Sequence, residues 1–239
     1  MSRIKVCLLA CVLMLLSVST FAVDGVTLIS QATVNAAGGF PYTISQSGSY
    51  RLSSNLTVTT VGTSAIVINA DNVVLDLNGF TVAGLAGSGP GNGIFGFGHQ
   101  NITVKNGVVT GWNLGIRLIA NGDVNALVEE VHASNNNFGI SVGDGIVRRC
   151  TATGNSSVGI TVTSGVVESN VSSSNLNGFL LGDGVTATGN SARLNTHVGL
   201  LAGQTVFGSN VFIGNGVDIL FSTNSTSQNN NVCTGGGTC

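Results

Sequence analysis

The chain has 239 residues, 43% of them apolar, 8% charged and 35 of them glycine. Val, Ile and Leu recur at regular intervals throughout, which excludes the disorder that so much Gly, Asn, Ser and Thr would otherwise suggest. Eight Lys/Arg against ten Asp/Glu leave a net charge of −2, which excludes the basic surface that nucleic acid requires.

Residues 1–22 read as a signal peptide. Arg3 and Lys5 form a positive start, an apolar run follows from Val6 to Val18, and Thr20-Phe21-Ala22 offers a small-residue cleavage site. Ser17, Ser19 and Thr20 cut the run short of the roughly 20 residues that span a bilayer, and no later segment competes. A lipoprotein box at Leu8-Leu9-Ala10-Cys11 is the alternative, but it leaves about five apolar residues before the cysteine where roughly 7–15 are usual. The expected location is therefore periplasmic or secreted, with no transmembrane segment after signal removal. Loss of Arg3 and Lys5 leaves six Lys/Arg against ten Asp/Glu, a net charge of −4. The remaining cysteines are Cys150, Cys233 and Cys239; in an oxidising compartment the last two are expected to pair.

Residues 23–50, with Phe40, Pro41, Tyr42 and Tyr50, are expected to cap the N-terminal end. From there to residue 232 the chain repeats. A Gly-apolar step recurs at Gly93, Gly115, Gly139, Gly159, Gly178 and Gly199, with Asp218-Ile219 as a degenerate last copy. Asn135, Asn155, Asn175, Asn195 and Asn215 fall every 20 residues. A third series runs through Asn78, Asn106, Asn170, Asn190, Asn210 and Asn230, with Glu130 and Cys150 in its two gaps. A period near 20 built from short alternating segments such as Ile102-Thr103-Val104 means one coil of two or three strands, and stacking at about 4.8 Å forms long parallel sheets. The leucine spacing and helical half of leucine-rich repeats are absent, as is the period of six of the left-handed hexapeptide helix.

The expected fold class is all-β, a right-handed parallel β-helix of about eight rungs over residues 51–232, forming a rod of roughly 38 Å. Residues 233–239 are expected to form a disulfide-closed C-terminal cap, since open solenoid ends expose strand edges. The glycines fit turns of positive φ, and the asparagines fit a structural ladder of stacked side-chain amides. Asn190→Ala is expected to cost about 1–3 kcal/mol.

The runs GSYRLSSNLTV (Gly48–Val58), ADNVVLDLNGFTVAG (Ala70–Gly84) and QNITVKNGVVTGWNLGIRL (Gln100–Leu118) resemble the opening rungs of bacterial right-handed β-helix repeat proteins of the pectate-lyase-like superfamily. That resemblance implies a fold and not an activity, because the superfamily includes polysaccharide lyases, galacturonan hydrolases, alginate epimerases and phage tailspikes. The Asn-Thr-Asp, Asp-Asp and Gly-His-Gly segments by which galacturonan hydrolases resemble one another are absent, and the only Arg-Ile-Lys lies at Arg3-Ile4-Lys5. The epimerase-like Asp-Pro-His is missing too.

The densest set of reactive groups is Glu129, Glu130, His132, Arg148, Arg149 and Glu168. A 20-residue offset superimposes Glu129 on Arg149, Glu130 on Cys150 and Arg148 on Glu168. These groups read as rung-to-rung salt bridges. Their functional alternative is a glycan-contacting patch, with Arg148 and Arg149 gripping a uronate carboxylate and Glu129 or His132 moving a proton. A row of turn residues, Asp71, His99, Asp123, Asp144 and Asp183, reads as Asx-turn formers; the alternative is a calcium ion shared by Asp123 and Asp144. No other metal or cofactor is expected. The leading functional expectation is a non-catalytic scaffold associated with a surface or with polysaccharide, and the alternative is a lyase-like enzyme using the Glu/Arg patch.

Overall fold

The computed structural model describes residues 25–85, 91–120, 124–221 and 224–234; residues 1–22 of the expected signal peptide lie outside them. The chain winds into an all-β parallel solenoid of about 9 turns with a period of about 21 residues. Each full coil contributes one short strand to each of three sheets. Sheet I begins with Val26–Ile29, Gly48–Leu52 and Val73–Asp76. Sheet II begins with Leu56–Thr57 and Thr81–Ala83, and sheet III with Tyr42–Ile44, Ile66–Ile68 and Asn92–Phe97. Neighbours pair in parallel, one coil apart. In the middle coils single strands bend through a corner, so Ile102–Thr110 serves sheet I with 102–105 and sheet II with 108–110.

The extra turn beyond the expected eight comes from the segment before Arg51. Val26–Ile29 stacks on the next coil in register, from Val26↔Ser49 to Ile29↔Leu52. This first coil also holds a helix that composition did not suggest, α1 (Gln31–Ala36), opened by a reciprocal capping box between Ser30 and Thr33. Gln31 places α1 against the edge of sheet II: its N–H donates to Ser54 Oγ at 2.9 Å, and its Oε1 accepts from the Thr57 N–H at 2.8 Å. Those bonds occupy a strand edge that would otherwise be open, and Val34 reaches the core with no exposed surface.

Two corners are tight, and each carries a ladder of buried amides. At the corner between sheets I and II the Cys150 N–H donates to Asn170 Oδ1, and the row continues through Asn190 and Asn210 to Asn231. At the corner between sheets II and III the row starts with the Trp112 N–H and runs through Asn136, Asn155, Asn175 and Asn195 to Asn215. In each step the backbone N–H and the side-chain Nδ2 of one asparagine both donate to Oδ1 of the next, as from Asn170 to Asn190 at 3.0 and 3.0 Å. The Nδ2 also donates back to a strand carbonyl. Every polar atom of these side chains is satisfied, which makes their burial tolerable.

Asn78, Asn106 and Asn135 stand outside the ladders. Asn106 and Asn135 occupy the corner residue before a ladder place, at φ 59 and 54, and Asn78, one residue past the place opposite Asn106, is left-handed too at φ 51; asparagine is tolerated there better than other side chains. Glu130 takes that same left-handed position at φ 56, so it does not interrupt the amide row; Val131 holds the ladder place in its coil. The C-terminal member of the row is Asn231 rather than Asn230.

The repeating glycines have a different cause from the expected one. Gly93, Gly115, Gly139, Gly159, Gly178 and Gly199 lie in strands of sheet III, and none has a positive φ. They sit where the second ladder presses on the sheet. A Cβ on Gly115 would meet Gly139 O at 2.5 Å and Asn136 Nδ2 at 3.0 Å. Close approach, not turn conformation, selects glycine there.

Candidate functional site

Alternation along sheet I settles which side chains face outward. Val128, Val147 and Val167 are fully buried, so Glu129, Arg148 and Glu168, one residue later, project from the outer face. Pairing places them in one row with three residues from the longer early coils. The row reads Arg51↔Asp76, Asp76↔Lys105, Lys105↔Glu129, Glu129↔Arg148 and Arg148↔Glu168. Six charges of alternating sign thus run up one sheet face.

The contacts are densest where sequence reading placed its patch. Arg148 approaches Glu129 Oε2 with Nη2 at 2.9 Å and Nε at 3.0 Å, and Arg149 Nη2 reaches the same oxygen at 2.8 Å. Arg149 Nε bonds Glu130 Oε1 at 3.0 Å, and Arg148 lies 3.9 Å from Glu168. At the far end Arg51 pairs with Asp76 at 3.5 Å. The Glu130 carboxylate is the main reason the Arg149 guanidinium is held above its ordinary value. Counting Glu130 and Arg149, four positive groups face four negative ones.

This register corrects part of the expected superposition. The coil between Glu129 and Arg148 is one residue short of 20, so Glu129 lies beside Arg148 and Glu130 beside Arg149, although Arg149 still reaches back to Glu129. Glu130 does not stack on Cys150. His132 is not part of the patch: it follows the corner and faces outward from sheet II, between Val108 and Thr151. Arg51, Asp76 and Lys105 went unnoticed because their coils are longer, and a fixed offset of 20 does not connect them.

The thiol of Cys150 is buried, and burial pushes it up to about 12. Its Sγ lies 3.3 Å from Arg148 O, which describes an inert core thiol rather than a nucleophile. Trp112 is buried as well, with Nε1 donating to Val82 O at 3.1 Å, so it presents no ring to a ligand. Cys233 is disulfide-bonded, and its expected partner Cys239 lies outside the described residues.

The aspartate row divides at the corner between sheets III and I. Asp71 accepts from the Gln100 N–H at 2.9 Å and contacts His99 Nδ1 at 3.1 Å; Asp183 accepts from the Gln204 N–H at 2.8 Å. These bonds tie each corner to the next coil, rather than closing the local Asx turn that was expected. Asp144 instead lines a depression of about 330 Å³ with Gln100, Asn101 and Asn125. Asp123 lies outside the described residues, and among the described residues no three His, Cys, Asp or Glu side chains gather closely enough to hold a metal ion. Nor is any described helix long and apolar enough to cross a membrane.

No family model, curated protein or solved structure matches the chain. Its functional reading therefore rests on its own residues.

Proposed function

We propose that this chain is an exported, non-catalytic β-helix, right-handed and of pectate-lyase-like kind, that serves as a surface- or glycan-associated scaffold. The observation that carries this reading is the charge row of sheet I. An enzyme needs reactive groups converging on a substrate, whereas here they converge on one another. Glu129 Oε2 is occupied by two guanidiniums, and both arginines that would grip a uronate are already held by Glu129, Glu130 and Glu168. A balanced row offers little net attraction to a polyanion, and it joins successive rungs instead.

The test is release of new sugar ends from a panel of neutral and acidic polysaccharides by the purified protein, with calcium and with chelator, alongside retention on the insoluble polymers. Retention without release is the expected result. Release that disappears in Arg148→Ala would overturn the scaffold reading and establish a lyase-like enzyme at the Glu/Arg patch. As a scaffold element, Arg148→Ala is expected to cost about 1 kcal/mol or less, and high salt is expected to diminish the difference.

A further inference from the structure

We propose that the corner between sheets III and I carries a binding subsite for a neutral sugar, with Asp144 and the side-chain amides of Asn125 and Gln100 engaging a pair of adjacent hydroxyls. The inference rests on the glycan-scaffold reading for the class of its ligand, and places that ligand away from the charge row.

The argument begins with an exposed stack of three asparagines, Asn72, Asn101 and Asn125, each in the left-handed conformation at φ 56, 57 and 49. Asn125 Nδ2 donates to Asn101 Oδ1 at 2.6 Å, and Asn101 Nδ2 donates to Asn72 Oδ1 at 2.9 Å. Each member donates toward the N-terminal end, so each Oδ1 awaits a donor from the following coil. For Asn125 that neighbour is Asp144, one residue before the paired Ala126↔Gly145. An ionised carboxylate has no hydrogen to give. The stack therefore ends with Asn125 Oδ1 accepting no hydrogen bond among the described residues, beside a carboxylate that lines the same depression.

Asp144 differs from the other described aspartates. Asp71, Asp76, Asp183 and Asp218 each accept hydrogen bonds within the chain. Among the described residues, Asp144 accepts none and pairs with no cation, although its side chain is half-buried. The depression it shares with Gln100, Asn101 and Asn125 measures about 330 Å³, at the small end of the usual range for ligand sites of roughly 300–1,000 Å³.

The donor set selects the ligand. A calcium ion seeks six to eight oxygens and several negative charges, whereas this site has a single carboxylate and amides that donate as well as accept. A uronate would meet the Asp144 charge with its own. Two neighbouring hydroxyls of a neutral sugar supply two hydrogens for the carboxylate oxygens. Their own oxygens can accept from Gln100 Nε2 and from the second N–H of Asn125, which the stack leaves unused.

The decisive variant is Asp144→Asn, which restores the missing donor. Its Nδ2 can bond Asn125 Oδ1 across one coil spacing, so the variant is expected to melt about 2–4 °C higher while losing sugar binding at least tenfold. Binding is read by NMR titration of the Gln100 and Asn125 side-chain NH₂ signals with glucose, galactose, mannose and oligosaccharides of each, with galacturonate and calcium chloride as separate arms. Shifts produced by a neutral sugar and abolished in Asp144→Asn support the subsite. Equal binding by the variant would overturn the subsite and leave the glycan-scaffold reading standing. Shifts from calcium or galacturonate alone would overturn the assigned ligand class. Failure of every neutral sugar to bind the wild type would overturn the subsite, and failure of the wild type to be retained on any insoluble polysaccharide would overturn the scaffold reading with it.

Discussion

Truncating one ladder asparagine tests whether the buried amides hold the solenoid together. In Asn190→Ala four hydrogen bonds disappear. Asn190 Nδ2 no longer donates to Val167 O or Asn210 Oδ1, at 2.8 and 3.0 Å, and its Oδ1 no longer accepts from the N–H and Nδ2 of Asn170, each at 3.0 Å. Not all four groups left behind are stranded. Asn210 Oδ1 keeps the Asn190 backbone N–H at 2.8 Å, and Asn170 Nδ2 keeps Val147 O at 2.8 Å. The Asn170 backbone N–H loses its acceptor in a site with almost no exposure. At about 1 kcal/mol per bond, less what an entering water restores, the loss is about 3 kcal/mol, the upper end of what the sequence alone suggested. For a chain of this size that is a fall of about 6–12 °C in Tm. Denaturant titration gives the free energy directly. A loss below about 1 kcal/mol in Asn190→Ala, with an unchanged m-value, would refute the ladder as a source of stability.

Gly139→Ala is expected to cost about 1–3 kcal/mol, because its Cβ would meet Gly159 O at 2.5 Å and Asn155 Nδ2 at 3.0 Å; an unchanged denaturation midpoint would show that the sheet can retreat from the ladder. Asp71 is expected to titrate below the ordinary carboxyl value, held down first by the Gln100 N–H and then by His99. Its stabilisation is fully present above the unfolded pKa of about 3.9 and is lost as pH falls through the lower folded value; a carboxyl-carbon NMR midpoint at or above about 3.9 contradicts this. Cys150, pushed up to about 12 by burial, is expected to resist a thiol reagent at pH 8 until the protein unfolds. Labelling faster than global unfolding would place the thiol nearer the surface.

The solenoid was legible because its periodicity is written in residues with few alternative uses. Asparagine at 155, 175, 195 and 215 marks one buried corner and asparagine at 170, 190 and 210 the other, and both series fall where the amides stack. What was not legible depends on coil length. A period of 20 holds from about Cys150 onward, but Arg51, Asp76, Lys105 and Glu129 are separated by longer coils, so a charge row six members long looked like a local cluster. The same irregularity moved the partner of Glu129 from Arg149 to Arg148. Glycine was misassigned for a related reason: its series was visible, but a sequence does not distinguish a residue that must bend from one that must stay thin. Helix α1 was hidden because its stability comes from the Ser30–Thr33 box and from Gln31 bonding a neighbouring strand rather than from helix-forming composition.

The direction of the amide rows separates structure from function in this chain. In both buried ladders each Nδ2 donates toward the C-terminal end, so each row finishes with a donor in need of an acceptor. One is provided in each case. Asn215 Nδ2 donates to Asp218 Oδ1 at 2.9 Å, and the other oxygen of Asp218 accepts from the Thr234 N–H at 3.0 Å, while Asn231 Nδ2 donates to Ser227 Oγ at 3.1 Å. Asp218 occupies the last place in the glycine series, where it meets both the final amide of the ladder and the chain beyond it. The exposed stack runs the other way and meets an acid at its acceptor end. An aspartate that completes one row is a structural terminus; an aspartate set against an acceptor leaves a polar demand that the fold does not answer. Selection for stability alone would favour asparagine at position 144, just as it favours aspartate at position 218. That the chain has aspartate at both sites is the physical reason to seek a ligand at the first and none at the second.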